Sequence, residues 1–97
     1  MKVYILRKSP RKGKRFELEV DGKFIHFGSD IGKTYIDGRN DIYKKNWEAR
    51  HSVNKNWNNK ASPVYYSRFL LWGKYQNLQK NINELENKDN IIIKYIK

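Results

Sequence analysis

The dipeptide Asp21-Gly22 constrains the fold of this chain more than any other feature of its sequence. The flanking segments FELEV and KFIHF alternate between apolar and polar residues, which is typical of strands with one buried face. Asp-Gly favours a two-residue type I′ turn, because both turn positions take positive φ. The resulting hairpin pairs Phe16 with Phe27 and Leu18 with Ile25 on the core side, and Glu17 with His26 on the opposite side. His26 is therefore interpreted as a partner of Glu17 rather than as a catalytic base.

Apolar patterning elsewhere predicts an α+β fold. The predicted elements are an N-terminal strand over residues 2–6, a short strand or hydrophobic plug at Tyr35 and Ile36, helices over 41–53, 62–73 and 76–86, and a strand or helical tail over 91–96. Asn40 or Asp41 is the expected cap of the first helix, and Ser62 with Pro63 begins the second, which Gly73 ends. We expect one domain over residues 1–97, with a small antiparallel sheet packed against two or three helices.

The charge of the chain points to a polyanionic partner. Its 21 Lys and Arg against 10 Asp and Glu give a net charge of +11. Such a field attracts nucleic acid, an anionic membrane or an acidic protein surface. The alternative is a solubilising surface in a lysine-rich proteome. With no cysteine, no signal peptide and no apolar run of about 18 residues, the sequence predicts a protein that is intracellular, not secreted, and without a membrane span.

The positive charge is densest in RKSPRKGKR, residues 7–15, which holds six basic side chains and no acid. We predict a basic flexible loop that tracks phosphates, with a merely solvated hairpin loop as the alternative. The candidate nucleic-acid contacts are Lys8, Arg11, Lys12, Lys14 and Arg15 in this loop, Arg50, Lys55, Lys60 and Arg68 beyond it, and Trp57 as a stacking platform for a single-stranded base.

The central stretch from Trp47 to Gly73 contains all three tryptophans. Its first helix is expected to enter the core at Tyr43 and Trp47 and to become polar towards its end, where Arg50 and His51 suit the helix dipole. Arg68 lies within an aromatic run, so a cation on an aromatic face and a phosphate contact are both open interpretations.

No pattern in the sequence predicts catalysis. Two histidines without a zinc-binding spacing, and the absence of cysteine and of Gly-x-Ser-x-Gly, give no metal site and no nucleophile. The GxxxGK run over residues 28–33 lacks the spacing of a phosphate loop, so nucleotide binding there is rejected. A magnesium-dependent nuclease on Asp37, Asp41 and Glu48 is the enzymatic alternative. We expect a non-enzymatic protein without a cofactor.

The order ARH, NxxWN and SRFLLW resembles a family of small basic proteins of nucleocytoplasmic large DNA viruses, the giant viruses, which is described as a domain of unknown function. The resemblance covers roughly residues 24–85, and its shared positions are Arg50, His51, Asn54, Trp57, Asn58, Ser67, Arg68 and Trp72. It implies a compact α+β domain, a viral setting and no established activity. Within it, Arg50, His51, Asn54 and Ser67 are expected to hold the loop between two helices, with the tryptophans sealing that loop.

Two functional hypotheses follow. The first is a sequence-indifferent nucleic-acid-binding viral protein that contacts the phosphate backbone through lysine and arginine. The second is a small virion structural protein, a minor capsid or cement component, that binds an acidic protein surface. A continuous basic groove beside exposed aromatic side chains favours the first, whereas a flat apolar patch with scattered charge favours the second. Either setting places the protein in the infected-cell cytoplasm or the virion, and the sequence makes no prediction of oligomeric state.

Overall fold

Four strands and three helices make up the chain, in a computed structural model that describes residues 1–97. The elements in order are β1 (Val3–Lys8), β2 (Lys14–Val20), β3 (Lys23–Ser29), a 3₁₀ turn (Tyr35–Asp37), α1 (Asp41–His51), α2 (Pro63–Tyr66), a π-helical turn (Ser67–Leu71), α3 (Leu78–Asp89) and β4 (Ile92–Ile96). The predicted α+β class is confirmed. None of the helices combines the length and the apolar character that crossing a membrane requires.

The sheet has the strand order β3-β2-β1-β4. The predicted hairpin register is confirmed at every pair from Phe16–Phe27 to Leu18–Ile25. Its turn has φ 53° at Asp21 and φ 73° at Gly22, the two positive values that a type I′ turn requires. β4 lies beside β1 as one alternative predicted, but parallel to it, so the sheet is mixed rather than antiparallel. The long chain between the two strands makes parallel pairing possible.

The core lies between one face of the sheet and the helices. Phe27 of β3 packs against Tyr66 of α2, with ring centroids 6.1 Å apart. α3 adds Ile82 and Leu85, which follow the predicted helical spacing. The buried core comprises Leu6, Phe16, Leu18, Phe27, Trp47, Tyr65, Tyr66, Leu70, Leu71, Trp72, Ile82, Leu85, Ile91 and Ile93.

Helix α1 departs from the prediction at its end and on its apolar face. It begins where expected, because the Asn40 side chain caps the backbone N–H of Tyr43 at 3.1 Å, but it ends at His51 rather than near Val53. Trp47 is buried, whereas Tyr43 is 49% exposed, so the expectation that Tyr43 enters the core is wrong. The guanidinium of Arg39 covers the Tyr43 ring on the surface instead.

The second predicted helix is interrupted after one turn. Ser62 and Pro63 start α2 as expected, but the chain then forms a π-helical turn that is closed by a hydrogen bond from Trp72 N to Ser67 O at 3.0 Å. Leu70, Leu71 and Trp72 are all buried in succession. In a regular α-helix three consecutive side chains spread over about 200°, so they would not all face the core. The π-helical turn has more residues per turn, which narrows this spread and lets all three point into the core.

Tyr35 and Ile36 form a 3₁₀ turn rather than a strand, and both are half-buried against the core as the plug interpretation expected. The predicted basic loop over residues 7–15 is shorter than expected. Its first two residues complete β1 and its last two begin β2, which leaves Ser9 to Gly13 as the connection. The segment is therefore the connection of an antiparallel hairpin formed by β1 and β2.

Candidate nucleic-acid interface

One end of the sheet carries a basic groove. Lys8 ends β1 and Lys14 begins β2, and the parallel pairing of β4 with β1 brings Lys97 to the same end. The depression there has a volume of about 810 Å³. We call it the basic groove; its charged lining residues are Lys8, Arg11, Lys12, Lys14, Arg15 and Lys97, with Asp30 and Asp37.

A second depression adjoins the basic groove and shares Lys14, Ser29 and Gly32 with it. We call it the tryptophan pocket, because Trp47 and Trp72 belong to its lining. Its volume is about 460 Å³. Its basic lining residues are Lys14, Lys33, Arg50 and His51, and the lining includes no carboxylate. The groove and the pocket therefore form one continuous basic surface that turns at Lys14.

Seven cations on this surface have no carboxylate partner within 4.0 Å, namely Lys8, Arg11, Lys12, Lys14, Lys33, Arg50 and Lys97. Arg15 is the exception among the candidates, because its two terminal nitrogens donate to Asp37 Oδ2 and Oδ1 at 2.6 and 2.8 Å. This guanidinium, with help from Thr34, lowers the pKa of Asp37 from 3.8 to about 2. Arg15 is thus engaged in an ion pair and is not available to a phosphate.

A stack of three rings supports the tryptophan pocket. The Trp47 indole lies 5.5 Å from Trp72 and 4.4 Å from the His51 ring, with interplanar angles of 12° and 19°. His51 Nδ1 donates to the Trp47 carbonyl oxygen at 2.8 Å, which fixes the ring. The tautomer with the proton on Nδ1 leaves Nε2 as the nitrogen that can interact with a ligand.

Trp57 and Arg68 do not belong to this surface. Trp57 is half-buried beside Trp47, and the Arg68 guanidinium lies 4.2 Å from the Trp57 ring and 4.6 Å from the Phe69 ring. Arg68 also donates to Asn58 Oδ1 at 3.0 Å. These contacts favour the structural interpretation of Arg68, and they leave Trp57 covered rather than presented as a stacking platform.

The remaining candidates divide between the loop after α1 and the tryptophan pocket. Asn54 holds its own turn by accepting from the Asn56 backbone N–H at 2.8 Å. Arg50 and Ser67 instead line the pocket, and their side chains make no hydrogen bond within the chain, so neither holds the loop as expected. Lys60 lies 3.6 Å from Asp89, and Lys55 is exposed outside the groove and the pocket.

A polar network crosses the outer face of the sheet. Arg7 donates to Glu17 and Glu19 at 2.6 and 2.8 Å, which raises the pKa of Arg7. Glu17 is also 3.7 Å from His26, as the register predicted, and His26 Nδ1 is 2.8 Å from the Ser9 hydroxyl. This trio combines the residue types of a hydrolase triad, but Arg7 occupies the carboxylate and the Ser9 oxygen is buried, where it accepts from a backbone N–H. The network fits a structural role.

No group of three or more His, Cys, Asp or Glu side chains is placed to bind a metal ion. The acids of the magnesium hypothesis are used elsewhere, since Asp37 binds Arg15 and Asp41 accepts from the Tyr35 hydroxyl at 2.8 Å. Glu48 lines a different depression, beside Lys44 and Glu84.

Residues 4–51 match a family of unknown function, DUF5754. This segment holds the three-stranded part of the sheet, the 3₁₀ turn and α1, and so contributes most of the basic surface. It includes Arg50 and His51 but ends before the NxxWN and SRFLLW motifs on which the giant-virus resemblance depends. Neither a curated protein nor a solved structure matches the chain.

Two members of the basic surface, Lys97 and Lys33, are not among the contacts that the sequence predicts. The position of Lys97 depends on the parallel pairing of β4, which the sequence does not indicate. Lys33 belongs to the GxxxGK run, whose glycines and lysine line the tryptophan pocket although the run forms no phosphate loop. The position of the GxxxGK run directly after the hairpin does indicate its place. A segment that follows β3 leaves the sheet at the same end as the basic loop between β1 and β2.

Proposed function

We propose that this chain is a non-enzymatic nucleic-acid-binding protein that holds the phosphate backbone along the basic groove and the tryptophan pocket. The observation that carries the proposal is the continuity of this surface. The groove and the pocket join at Lys14, and together they carry seven cations without carboxylate partners. Lysine and arginine side chains of this kind release counterions when they neutralise phosphates.

Binding is proposed to be indifferent to base sequence. Phosphate contacts position a protein but carry no sequence information. Arg68 covers the Trp57 ring, so the proposed binding does not include stacking of an unpaired base on Trp57. If each free cation met one phosphate of a duplex, the logarithm of the affinity would fall with the logarithm of salt concentration with a slope of roughly −6.

The viral setting is also a proposal, and it rests on the motif resemblance. In that setting the protein would act near a large DNA genome, in the infected-cell cytoplasm or in the virion. The second candidate, a virion structural protein that binds an acidic protein surface, has one observation in its favour. The sheet face opposite the helices exposes apolar side chains, including Val3, Phe24 and Ile96.

Two charge-matched triple variants test the nucleic-acid proposal. The groove variant replaces Lys8, Lys12 and Lys14 with glutamine. The control variant does the same to Lys23, Lys45 and Lys55, which are equally exposed and free of ion pairs but lie outside the groove and the pocket. Fluorescence anisotropy with a labelled duplex, a single strand and an RNA would be recorded from low to high salt.

We expect the groove variant to reduce the salt slope by roughly 3 and the control to leave it nearly unchanged. Equal losses in the two variants would mean that only net charge matters and would overturn the assignment to this surface. No binding of any probe at low salt would refute the function itself. Binding to capsid shells emptied of nucleic acid, in the absence of probe binding, would instead favour the structural protein.

A further inference from the structure

The tryptophan pocket differs from the other main depressions in its electrostatics. Each of the others includes at least one carboxylate: Glu17, Glu48 with Glu84, Asp30 with Asp37, or Glu84 alone. The tryptophan pocket has Lys14, Lys33 and Arg50 in its lining and no acid. An anion there is attracted by these cations, and the carboxylate of Asp37, which accepts hydrogen bonds from Thr34 of the lining, is already paired with Arg15.

Hydrogen-bond donors without partners line the same pocket. The backbone N–H groups of Gly32 and Lys33 donate to no acceptor within the chain, unlike those of Ile31 and Thr34 on either side. Ser67, which also belongs to the lining, is half-buried, and its hydroxyl makes no hydrogen bond within the chain. Ser67 begins the π-helical turn, a rare conformation that often occurs at functional sites. The pocket therefore combines unpaired charges and unpaired donors from four separate segments: β2, the loop after β3, α1 and the π-helical turn.

The indole walls strengthen any ionic contact in the pocket. Trp47 and Trp72 are each 8% exposed and stack on one another. Apolar aromatic surface excludes water from one side of a bound anion, so its charge is screened less than at an open surface.

We infer that the tryptophan pocket binds a phosphate monoester, either the terminal phosphate of a nucleic-acid strand or a free mononucleotide. A phosphodiester within a strand carries one charge, whereas a monoester approaches two charges at neutral pH and offers three acceptor oxygens. The cluster of cations and free donors matches the greater charge and the additional acceptors. The inference deepens the proposed function and rests on it in one respect, that the adjoining groove would hold the rest of a strand.

The test compares ligands that differ only in the phosphate. The strand arm uses one short single-stranded oligonucleotide with a 5′-phosphate, a 3′-phosphate or hydroxyl ends, and the free arm uses adenosine monophosphate against adenosine. Affinities are measured by titration calorimetry at matched ionic strength. The pocket variant is Lys33→Gln with Arg50→Gln, and the control is Lys8→Gln with Lys12→Gln in the groove. All four side chains are exposed, so folding is expected to survive, and circular dichroism checks it.

We expect a terminal phosphate to tighten strand binding roughly 10-fold, as for one or two charge-assisted hydrogen bonds, and the pocket variant alone to abolish that gain. Equal affinity for phosphorylated and hydroxyl-ended strands, with no adenosine monophosphate binding, would overturn the inference and leave the proposed function standing. Binding of adenosine monophosphate without binding of hydroxyl-ended strands at low salt would support the pocket and refute the proposed function. The inference would also be overturned if the control variant, Lys8→Gln with Lys12→Gln, removed the gain from the terminal phosphate as fully as the pocket variant does.

Discussion

Asp37 links the stability of the fold to the charge of the basic groove, so replacing it with asparagine perturbs both in opposite directions. Its carboxylate accepts from Arg15 on β2 and from the backbone N–H and hydroxyl of Thr34, at 2.6–3.0 Å. The ion pair therefore fixes the 3₁₀ turn against the sheet. It also neutralises one of the groove's arginines.

The size of the effect follows from the pKa of Asp37, which Arg15 lowers from 3.8 to about 2. One unit of pKa corresponds to about 1.4 kcal/mol, so this lowering is worth at most about 2.4 kcal/mol. The side chain of Asp37 is 27% exposed, and solvent screening reduces the figure to about 1–2 kcal/mol. Because the folded pKa lies below the unfolded one, this stabilisation is fully present above pH 3.8 and is lost as the pH falls through 2.

Urea unfolding of Asp37→Asn between pH 2 and pH 7 measures the effect. We expect the variant to be less stable by about 1–2 kcal/mol at pH 7 and the difference to shrink towards pH 2. Asp21→Asn is the control, since its ion pair with Lys2 is 63% exposed on both sides and is expected to contribute little. A loss that is the same at pH 2 as at pH 7 would refute the electrostatic explanation and point to the geometry of the turn.

The same variant makes the opposite prediction for nucleic acid. Removing the carboxylate releases Arg15 and raises the net charge of the groove by one. We expect tighter binding at low salt and a salt slope steeper by roughly 1, although the protein is less stable. Asp21→Asn adds the same net charge away from the groove, so equal gains in the two variants would contradict a localised interface.

Two further predictions concern the junction between the π-helical turn and α3. Asn81→Ala removes a buried amide that donates to Leu70 O and Tyr75 O at 3.0 and 2.8 Å and accepts from Tyr75 N at 2.9 Å. We expect a loss of about 2–4 kcal/mol in chemical unfolding because these backbone groups lose their partner, and Asn81→Gln should not restore it. Gly73→Ala should lower the free energy of unfolding by about 1–3 kcal/mol in the same assay, because a Cβ would collide with the Phe69 carbonyl oxygen and lie 2.9 Å from Asn81 Cγ. An unchanged unfolding midpoint would show that the backbone can shift to accommodate the methyl group.

The hairpin was predictable because its information is local. Alternation sets which residues face the core, and Asp21-Gly22 sets the turn, so together they determine the register without reference to the rest of the chain. The caps of the helices were predictable for the same reason. Asn40 serves its own helix within three residues, through the hydrogen bond to Tyr43.

The π-helical turn was not predictable from periodicity. Tyr65, Phe69 and Trp72 fit an α-helical face in the sequence, which Tyr66 and Leu70 widen. The structure also buries Leu71 fully and leaves Phe69 only half-buried. The turn packs against both α3 and β3, and these tertiary contacts are not part of the local apolar pattern. Tertiary packing of this kind overrides the intrinsic helix propensity of the residues.

The candidate site was predictable in composition but not in arrangement. Residues 7–15 contribute most of the groove, as expected. Arg15, however, forms an ion pair with Asp37, which is 22 residues away, and the Arg68 guanidinium lies on the Trp57 ring. Pairings of this kind depend on which segments meet in space. The charge of a side chain is visible in the sequence, whereas its availability to a ligand is not.

The placement of the carboxylates decides where the positive surface lies. Of the ten acids, six pair with a basic side chain within 4.0 Å, namely Glu17, Glu19, Asp21, Asp37, Glu84 and Asp89. Three others accept hydrogen bonds that hold turns, helix starts or strands. Asp30 and Asp37 reach the basic groove, and none of the ten reaches the tryptophan pocket. A lysine-rich composition alone would scatter bases and acids together over the surface. Here acids are absent from the lining of one particular pocket, beside two indoles. A need for solubility does not explain why acids are absent at that position, whereas binding of an anionic ligand there does.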